Sequence, residues 1–223
     1  MKSVKVEVWA DFVCPWCWIA KRRFEKAVAA VSGQVSVTVS EKAYRLARGA
    51  APMAFKSALY QKFGGAQGAE RMMAAVREQG RSEGLDYRFD TMRFGDTTAA
   101  HALVKSIASP IQAKQMSERL YKAVTTDGLD IFDPNVLGAL AEELGVSGFE
   151  VNIPAAANQI AEDEADANQV ANGVPLFVFN NKLYLSGAQE SAVFERALLD
   201  AAVDAPVSMN DSAAESCGID GCR

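Results

Sequence analysis

Residues 4–17 run Val-Lys-Val-Glu-Val-Trp-Ala-Asp-Phe-Val-Cys-Pro-Trp-Cys, which joins a strand pattern to a pair of cysteines. Small apolar residues occupy every second position from Val4 to Ala10, and this period of two predicts a strand with one buried face. At Pro15 the period lengthens to three or four residues, as in an amphipathic helix. Cys14 and Cys17 therefore lie where a predicted strand ends and a predicted helix begins.

The helix predicted from Pro15 ends near Gly33, and residues 35–39 then alternate again as a second strand. Its apolar stripe comprises Cys17, Ala20, Phe24, Ala27, Val28 and Val31. The basic residues 21–23 are expected on its solvated side. A strand, a crossover helix and a second strand form a β-α-β unit, so the two strands are expected to be parallel.

After the second predicted strand, the composition of the chain predicts a helical segment, then a hairpin and a last helix, and then a tail. From about residue 52 to 171 it is rich in alanine and interrupted by glycine and proline, a composition that predicts short helices. The acidic run 162–166 is expected on an exposed helix surface. A hairpin over 176–185 and a last helix over 191–203 follow. The small and polar residues 204–223 are expected to form a mobile tail.

Composition excludes several classes of protein. The 223 residues are 49% apolar, enough for a sizeable core without disulfide support, and 23 basic against 28 acidic residues give a net charge of −5. This balance argues against a nucleic-acid partner. No apolar run is long enough for a membrane span, and the alternating N-terminus does not resemble a signal peptide. We therefore expect a cytoplasmic protein with no membrane partner.

The four cysteines form two pairs, and the first pair has the geometry for reversible disulfide chemistry. Structural disulfides are rare in a reducing compartment, where cysteines tend to be redox-active or metal-bound. On a first helical turn, Cys14 and Cys17 share a face and are close enough for a disulfide. Pro15 suits an early helical position because its missing N–H needs no partner there.

We expect Cys14 to be the nucleophile and Cys17 the buried, resolving thiol. A helix N-terminus stabilises an anion by roughly 0.3–1 kcal/mol, and further hydrogen bonds from the backbone of Trp16 and from Cys17 are expected to stabilise the Cys14 thiolate. The competing interpretation is a pair of inert core cysteines or half a metal site. The position of the pair in a β-α-β unit favours the redox interpretation.

Several short motifs, in order along residues 3–200, resemble one family. They are Asp11-Phe12-Val13-Cys14-Pro15-Trp16-Cys17, Lys21-Arg22-Arg23-Phe24-Glu25, Ala100-His101-Ala102-Leu103, Gly173-Val174-Pro175-Leu176-Phe177-Val178 and Ser186-Gly187-Ala188-Gln189. Together they resemble the FrnE-like, cytoplasmic branch of the DsbA-type thioredoxin-fold oxidoreductases. The resemblance implies an α/β thioredoxin-like fold, over residues 1–45 and 172–203, interrupted by a large all-helical insertion over 46–171.

The resemblance also implies roles for four residues beside the cysteines. Pro15 and Trp16 would support the active site from between the two thiols. The Val174–Pro175 bond would be cis and would pack beside Cys14, so that the backbone of Val174 could pair with an extended substrate. The alternative for Pro175 is an ordinary proline at the start of a strand.

The sequence departs from relatives at two points. The similar 2-hydroxychromene-2-carboxylate isomerases and kappa-class glutathione transferases carry serine in place of Cys14 and use glutathione, so a glutathione-dependent isomerase or transferase stays an alternative. The family's buried acid, six residues before the first cysteine, is Val8 here. Glu7 and Asp11 are nearby substitutes. His101, the only histidine, is expected to pack in the core.

Cys217 and Cys222 lie in the predicted tail, outside the part that the fold requires. Gly218 and Gly221 permit a turn between them. The chain from Val203 to Cys217 spans roughly 46 Å when stretched, against a compact radius of about 17 Å for a protein of this length. We expect this accessory redox pair to exchange disulfides with Cys14 and Cys17. The alternatives are an adventitious or metal-scavenging tail, or a four-cysteine zinc site that would disable the nucleophile.

These residues together predict a thiol-disulfide oxidoreductase or disulfide isomerase that needs neither a cofactor nor a metal. Its expected partners are client proteins that carry disulfides or thiols, and a small-molecule or protein thiol that reduces it. A monomer is expected. An alternative without enzyme activity is a chaperone-like module that binds clients through the apolar surface around the site.

Overall fold

The computed structural model describes residues 2–146 and 153–203 and two short strands near the C-terminus. In chain order the elements are β1 (Lys2–Ala10), α1 (Pro15–Val31), β2 (Val35–Ala43), β3 (Met53–Ala54), α2 (Phe55–Lys62), α3 (Ala66–Ser82), β4 (Arg93–Phe94), α4 (Thr98–Ser106), α5 (Pro110–Lys122), a π-helical turn (Ala123–Asp127), α6 (Pro134–Glu143), α7 (Ile153–Asn168), β5 (Leu176–Phe179), β6 (Leu183–Ser186), α8 (Ser191–Val203), β7 (Cys217–Gly218) and β8 (Gly221–Cys222).

A four-stranded mixed sheet in the order β2-β1-β5-β6 forms the centre of the fold. β1 and β2 are parallel, with Lys2 opposite Val35 and Ala10 opposite Ala43, and this confirms the predicted β-α-β unit. β5 is antiparallel to both β1 and β6. The predicted hairpin is also confirmed. Asn180 and the residue after it have φ angles of 49° and 55°, the left-handed values that a tight two-residue turn requires.

Both faces of the sheet are covered. On one face, Phe24 of α1 and Phe194 of α8 pack against Phe177 of β5, with ring centroids 4.6–5.6 Å apart. On the other face, the indole Nε1 of Trp9 donates a 2.6 Å hydrogen bond to the carbonyl of Asp163 in α7. The expectation of a single buried face for β1 was therefore wrong near its end, because α7 covers the side that Trp9 occupies.

The long segment between β2 and β5 is mainly helical, which confirms the predicted insertion with one addition. β3 and β4 form an antiparallel pair of two residues each, which the sequence did not predict. Asp133 caps the start of α6, since its Oδ1 accepts a 2.8 Å hydrogen bond from the backbone N–H of Asn135. The exact boundaries between sheet and insertion stay a prediction. Within residues 2–146 and 153–203, no helix has both the length and the hydropathy needed to cross a membrane.

Two surfaces expected to be solvated are partly buried. Asp163 and Glu164 of the acidic run are buried, whereas Glu162 is exposed. Arg23 is also buried, because the C-terminal end of α3 and the loop before α8 cover it. Its Nε lies 3.0 Å from Oε1 of Glu83, the C-cap of α3, and its Nη1 donates to the carbonyl of Ala188. In each case an ionic partner distant in sequence permits the burial.

The C-terminal pair of cysteines lies on a short antiparallel hairpin, in which the Cα atoms of Cys217 and Cys222 are opposite each other. This agrees with the expectation that the glycines between them permit a turn. Residues 204–216, 219, 220 and 223 lie outside the described residues. The expected mobility of the tail therefore stays a prediction.

Candidate active site

The first cysteine pair sits at the junction of β1 and α1, as the sequence predicts. Cys14 is the N-cap residue of α1, with extended backbone angles, and Pro15 is the first residue of the helix. The backbone N–H of Cys14 donates to the carbonyl of Asp11 at 3.1 Å, and that of Cys17 donates to the carbonyl of Cys14 at 3.1 Å. These turn contacts place the two thiols one helical turn apart.

Both thiols are free and buried: Cys14 is 0% exposed and Cys17 is 2% exposed. The Val174–Pro175 bond is cis, as the resemblance implies, and the Cys14 Sγ lies 3.8 Å from the carbonyl oxygen of Val174. A thiol donates in such a contact and a carbonyl accepts. The Sγ of Cys14 is thus directed toward Val174.

The protonated Cys14 side chain makes no capping hydrogen bond with the first turn of α1. Its thiol donates to the Val174 carbonyl. The expected hydrogen bonds from the backbone of Trp16 and from Cys17 concern the Cys14 thiolate, so they stay a prediction.

Cys17 has the environment of a resolving thiol. Burial raises its pKa well above the usual value, and the hydrogen bond and charge of Cys14 act in the same direction. A thiol that stays protonated until its neighbour forms a mixed disulfide is suited to the second step of an exchange.

The helical segment covers the cysteine pair. Tyr87 Oη donates a 2.6 Å hydrogen bond to the carbonyl of Pro15, and the ring of Trp18 packs against the rings of Tyr87 and Tyr121. Trp16 is 1% exposed, and its Nε1 has no acceptor among the residues described. In this state the Cys14 side chain has no exposed surface, so a large substrate reaches it only after neighbouring side chains move.

Asp11 is the acid beside the cysteine pair, which resolves the choice that the sequence left open. Its carboxylate is fully buried and accepts from the backbone N–H of Leu46 at 2.7 Å and from Thr97 Oγ1 at 2.8 Å. Burial and Cys14 have the largest effects on the pKa of Cys17; a hydrogen bond with the Asp11 backbone lowers this pKa, and the negative charge of Asp11 raises it. Glu7 lies elsewhere and pairs with Lys42 at 3.5 Å.

His101 packs in the core, as expected, and lies beside this acid. Its Nε2 lies 3.2 Å from the carbonyl oxygen of Tyr44 and 3.8 Å from Asp11 Oδ1, and its ring contacts Phe12 with centroids 4.6 Å apart. Sequence reasoning missed the contributions of Tyr87 and Thr97. Neither residue belongs to a recognisable motif, and both reach the site only through the packing of the helical segment.

A profile of the DSBA-like thioredoxin domain matches residues 5–199. The chain belongs to this family. A solved structure of a probable DsbA oxidoreductase from Streptomyces coelicolor is similar to this DsbA-like protein at 30% identity and a TM-score of 0.79, over 99% of this chain and 98% of that chain. No curated protein matches the sequence.

Two more distant structures share the fold of the DsbA-like protein. A putative protein disulfide isomerase from Nitrosomonas europaea has a TM-score of 0.65 at 17% identity, over 89% of this chain and 97% of that one. The cytosolic disulfide reductase DsbM from Pseudomonas aeruginosa, solved with GSH, has a TM-score of 0.59 at 17% identity, over 89% and 96%. The thioredoxin-like fold and the general oxidoreductase class follow from the family.

Proposed function

We propose that this protein is a cytoplasmic thiol-disulfide oxidoreductase or isomerase whose working dithiol is Cys14 and Cys17. The observation that carries the proposal is the placement of both thiols at the N-terminus of α1, with Cys14 3.8 Å from the Val174 carbonyl. This position lets a helix terminus stabilise a thiolate and lets a substrate chain lie beside Val174.

The exchange proceeds in two steps. The Cys14 thiolate attacks one sulfur of a substrate disulfide, so a mixed disulfide forms and the other substrate sulfur leaves as a thiolate. Cys17 then loses its proton and attacks the Cys14 sulfur, which releases the second substrate thiolate and leaves a Cys14–Cys17 disulfide. The substrate gains two electrons, and two external thiol groups, which are oxidised to a disulfide, return two electrons to the Cys14–Cys17 disulfide.

Serine substitutions test this assignment. Cys14→Ser is expected to abolish insulin-disulfide reduction above the uncatalysed background, whereas Cys17→Ser is expected to accumulate a mixed disulfide on Cys14 that intact-mass analysis detects. The double substitution Cys217→Ser and Cys222→Ser is the matched control for loss of two thiols, and it should still form the Cys14–Cys17 disulfide. Reduction of insulin at the wild-type rate by Cys14→Ser would refute the assignment.

The same variants separate the two alternatives. A glutathione-dependent isomerase or transferase would need glutathione for turnover and would survive Cys17→Ser, because only the position of Cys14 contacts the cofactor in that chemistry. A chaperone-like module would suppress client aggregation equally well with Cys14→Ser. The oxidoreductase loses activity in both variants.

The role of the tail pair is part of the proposal. The Cα atoms of Cys217 and Cys222 face each other across a hairpin, an arrangement suited to a second dithiol. If this pair passes electrons to Cys14 and Cys17, removal of residues 204–223 slows reduction of the Cys14–Cys17 disulfide by an external thiol. An unchanged rate would show that the tail takes no part.

A further inference from the structure

A cavity of about 740 Å³ lies behind the cysteine pair, between α1, β2 and the α4–α5 region. Cys17, Pro175 and His101 line its inner end, and Cys14 is not part of its wall. The cavity therefore approaches the dithiol from the side of the resolving cysteine; Val174, where a substrate disulfide is proposed to bind, is not part of its wall.

The cavity is elongated. Its wall on α1 extends from Cys17 to Ser32, and fifteen residues at 1.5 Å each correspond to roughly 22 Å of helix. Apolar side chains from three directions line this length; they include Phe24, Val28, Val39, Val104, Ile107 and Phe177. Small-molecule sites in proteins have volumes of about 300–1,000 Å³ and mostly apolar walls, so this cavity has the size and lining of such a site.

Its outer end exposes apolar side chains to solvent. Ile111 of α5 is 74% exposed and Val39 of β2 is 45% exposed, and both line the cavity. Exposed apolar side chains next to an apolar cavity form an entrance that an apolar molecule can use without a desolvation cost. The entrance and most of the inner wall are thus both apolar.

The charged groups of the wall are already paired. The pairs that involve its four lysines are Lys21–Glu25 at 2.7 Å, Lys114–Glu25 at 3.0 Å, Lys42–Asp163 at 3.2 Å and Lys105–Asp163 at 2.6 Å. An anionic ligand would have to compete with these carboxylates for each lysine. The wall consequently favours a ligand that is uncharged along the part that enters.

We propose that this cavity binds an elongated, uncharged apolar molecule with a hydrocarbon chain, and that the inner end of the chain contacts Cys17. Binding displaces water from the apolar wall, which is the driving force. A chain of ten carbons or more occupies the cavity along α1 and blocks access to the Cys17 thiol from this side. The inference does not depend on the proposed exchange chemistry, because binding is measured directly.

Calorimetry with 1-decanol as the probe tests the binding, with decanoate and decylammonium as charged molecules of the same chain length. Decanol is expected to bind at least tenfold more tightly than either ion. Ala29→Trp, which fills the outer part of the cavity, should weaken decanol binding at least tenfold, and Ala113→Trp on the opposite wall should do the same. Ala30→Trp is the control, since Ala30 is the next residue of the same helix and does not line the cavity.

A thiol-labelling experiment tests the position of the bound chain. In a Cys14→Ser background, decanol should slow alkylation of Cys17 by iodoacetamide at least fivefold, and Ala29→Trp should remove this protection. Equal decanol affinity in the Ala29→Trp and Ala30→Trp variants, or tighter binding of decanoate, would overturn the site. Decanol binding that leaves the Cys17 rate unchanged would overturn the contact with the thiol.

Discussion

Asp11 links the cysteine loop to two distant parts of the chain. Its Oδ2 accepts from the backbone N–H of Leu46, and its Oδ1 accepts from Thr97 Oγ1 and, at 3.3 Å, from the backbone N–H of Val13. A buried carboxylate with three donors is well satisfied, so it holds the loop before Cys14 in place. The same negative charge opposes ionisation of Cys17.

Asp11→Asn is expected to change both properties. Loss of the charge lowers the pKa of Cys17, because the negative charge of Asp11 raises it in the native protein. The free energy of unfolding falls by about 1–3 kcal/mol, since an amide group places a donor against the N–H of Leu46. The rate of Cys17 alkylation against pH, in a Cys14→Ser background, measures the first effect. Glu7→Gln is the control and should leave that profile unchanged. If the parent, Asp11→Asn and Glu7→Gln gave identical profiles, the charge of Asp11 would have no effect on Cys17.

At the scale of single elements, α7 carries two acidic residues on its buried side. Arg45 Nε donates to Glu164 Oε1 at 2.6 Å and Arg45 Nη2 donates to Oε2 at 2.8 Å, with the side chains 6% and 11% exposed. The backbone N–H of Arg45 also donates to Oε1. This bidentate pair fixes α7 to the chain that follows β2.

Glu164→Ala is expected to destabilise the protein by about 3–5 kcal/mol, because it leaves the Arg45 guanidinium buried and unpaired. Glu162→Ala removes the same side chain from an exposed position of the same helix, and its effect should stay within about 0.5 kcal/mol. Urea unfolding midpoints measure both. Equal midpoints for the two variants would show that the buried pair contributes nothing.

A glycine in α3 permits a close contact with the cover of the site. A Cβ at Gly80 would lie 2.6 Å from Cε2 of Tyr87, the residue that donates to the Pro15 carbonyl. Gly138 in α6 has no atom within 4 Å of the same ideal position.

These two helical glycines should respond to alanine in opposite directions. Gly80→Ala is expected to destabilise by about 1–3 kcal/mol through displacement of the Tyr87 ring. Gly138→Ala is expected to stabilise by about 0.5–1 kcal/mol through helix propensity. Thermal unfolding of both variants checks the signs, and a stabilised Gly80→Ala would show that Tyr87 moves aside at no cost.

Strands, helices and turns that depend on neighbouring residues were predictable from the sequence. The contacts that these elements make with distant parts of the chain were not. The strand β1, the stripe of α1 and the hairpin turn at Asn180 each depend on residues within a few positions of one another, and each is confirmed as an element. The burial of Glu164 depends on Arg45, more than a hundred positions away. The closed cover over Cys14 likewise depends on contacts such as Tyr87 with Pro15, which no periodicity encodes.

The whole molecule buries ionisable groups where its two parts meet. Cys17 comes from the sheet part, and Tyr87 and Tyr121 come from the helical segment. Burial raises the pKa of all three well above their usual values, and for both tyrosines the charge of the cysteine pair adds to the effect. The protein folds with these groups protonated, so the interface between the two parts is sensitive to alkali.

We expect the reduced protein to lose stability as pH rises above about 8.5 and then more steeply above about 10, where cysteine and tyrosine ionise in the unfolded chain. The sign follows from the raised pKa values: the folded state holds protons that the unfolded state releases, so the stabilisation is complete below these pH values and is lost above them. Tyr121→Phe removes one such group with little change of shape and should flatten the loss between pH 8 and 11. Tyr184→Phe, at an exposed position of β6, should not. Urea unfolding under reducing conditions at pH 8 and pH 11 measures the free energy of unfolding of each variant. Equal loss of this free energy in Tyr121→Phe and Tyr184→Phe would show that the buried hydroxyl of Tyr121 does not cause the loss of stability in alkali.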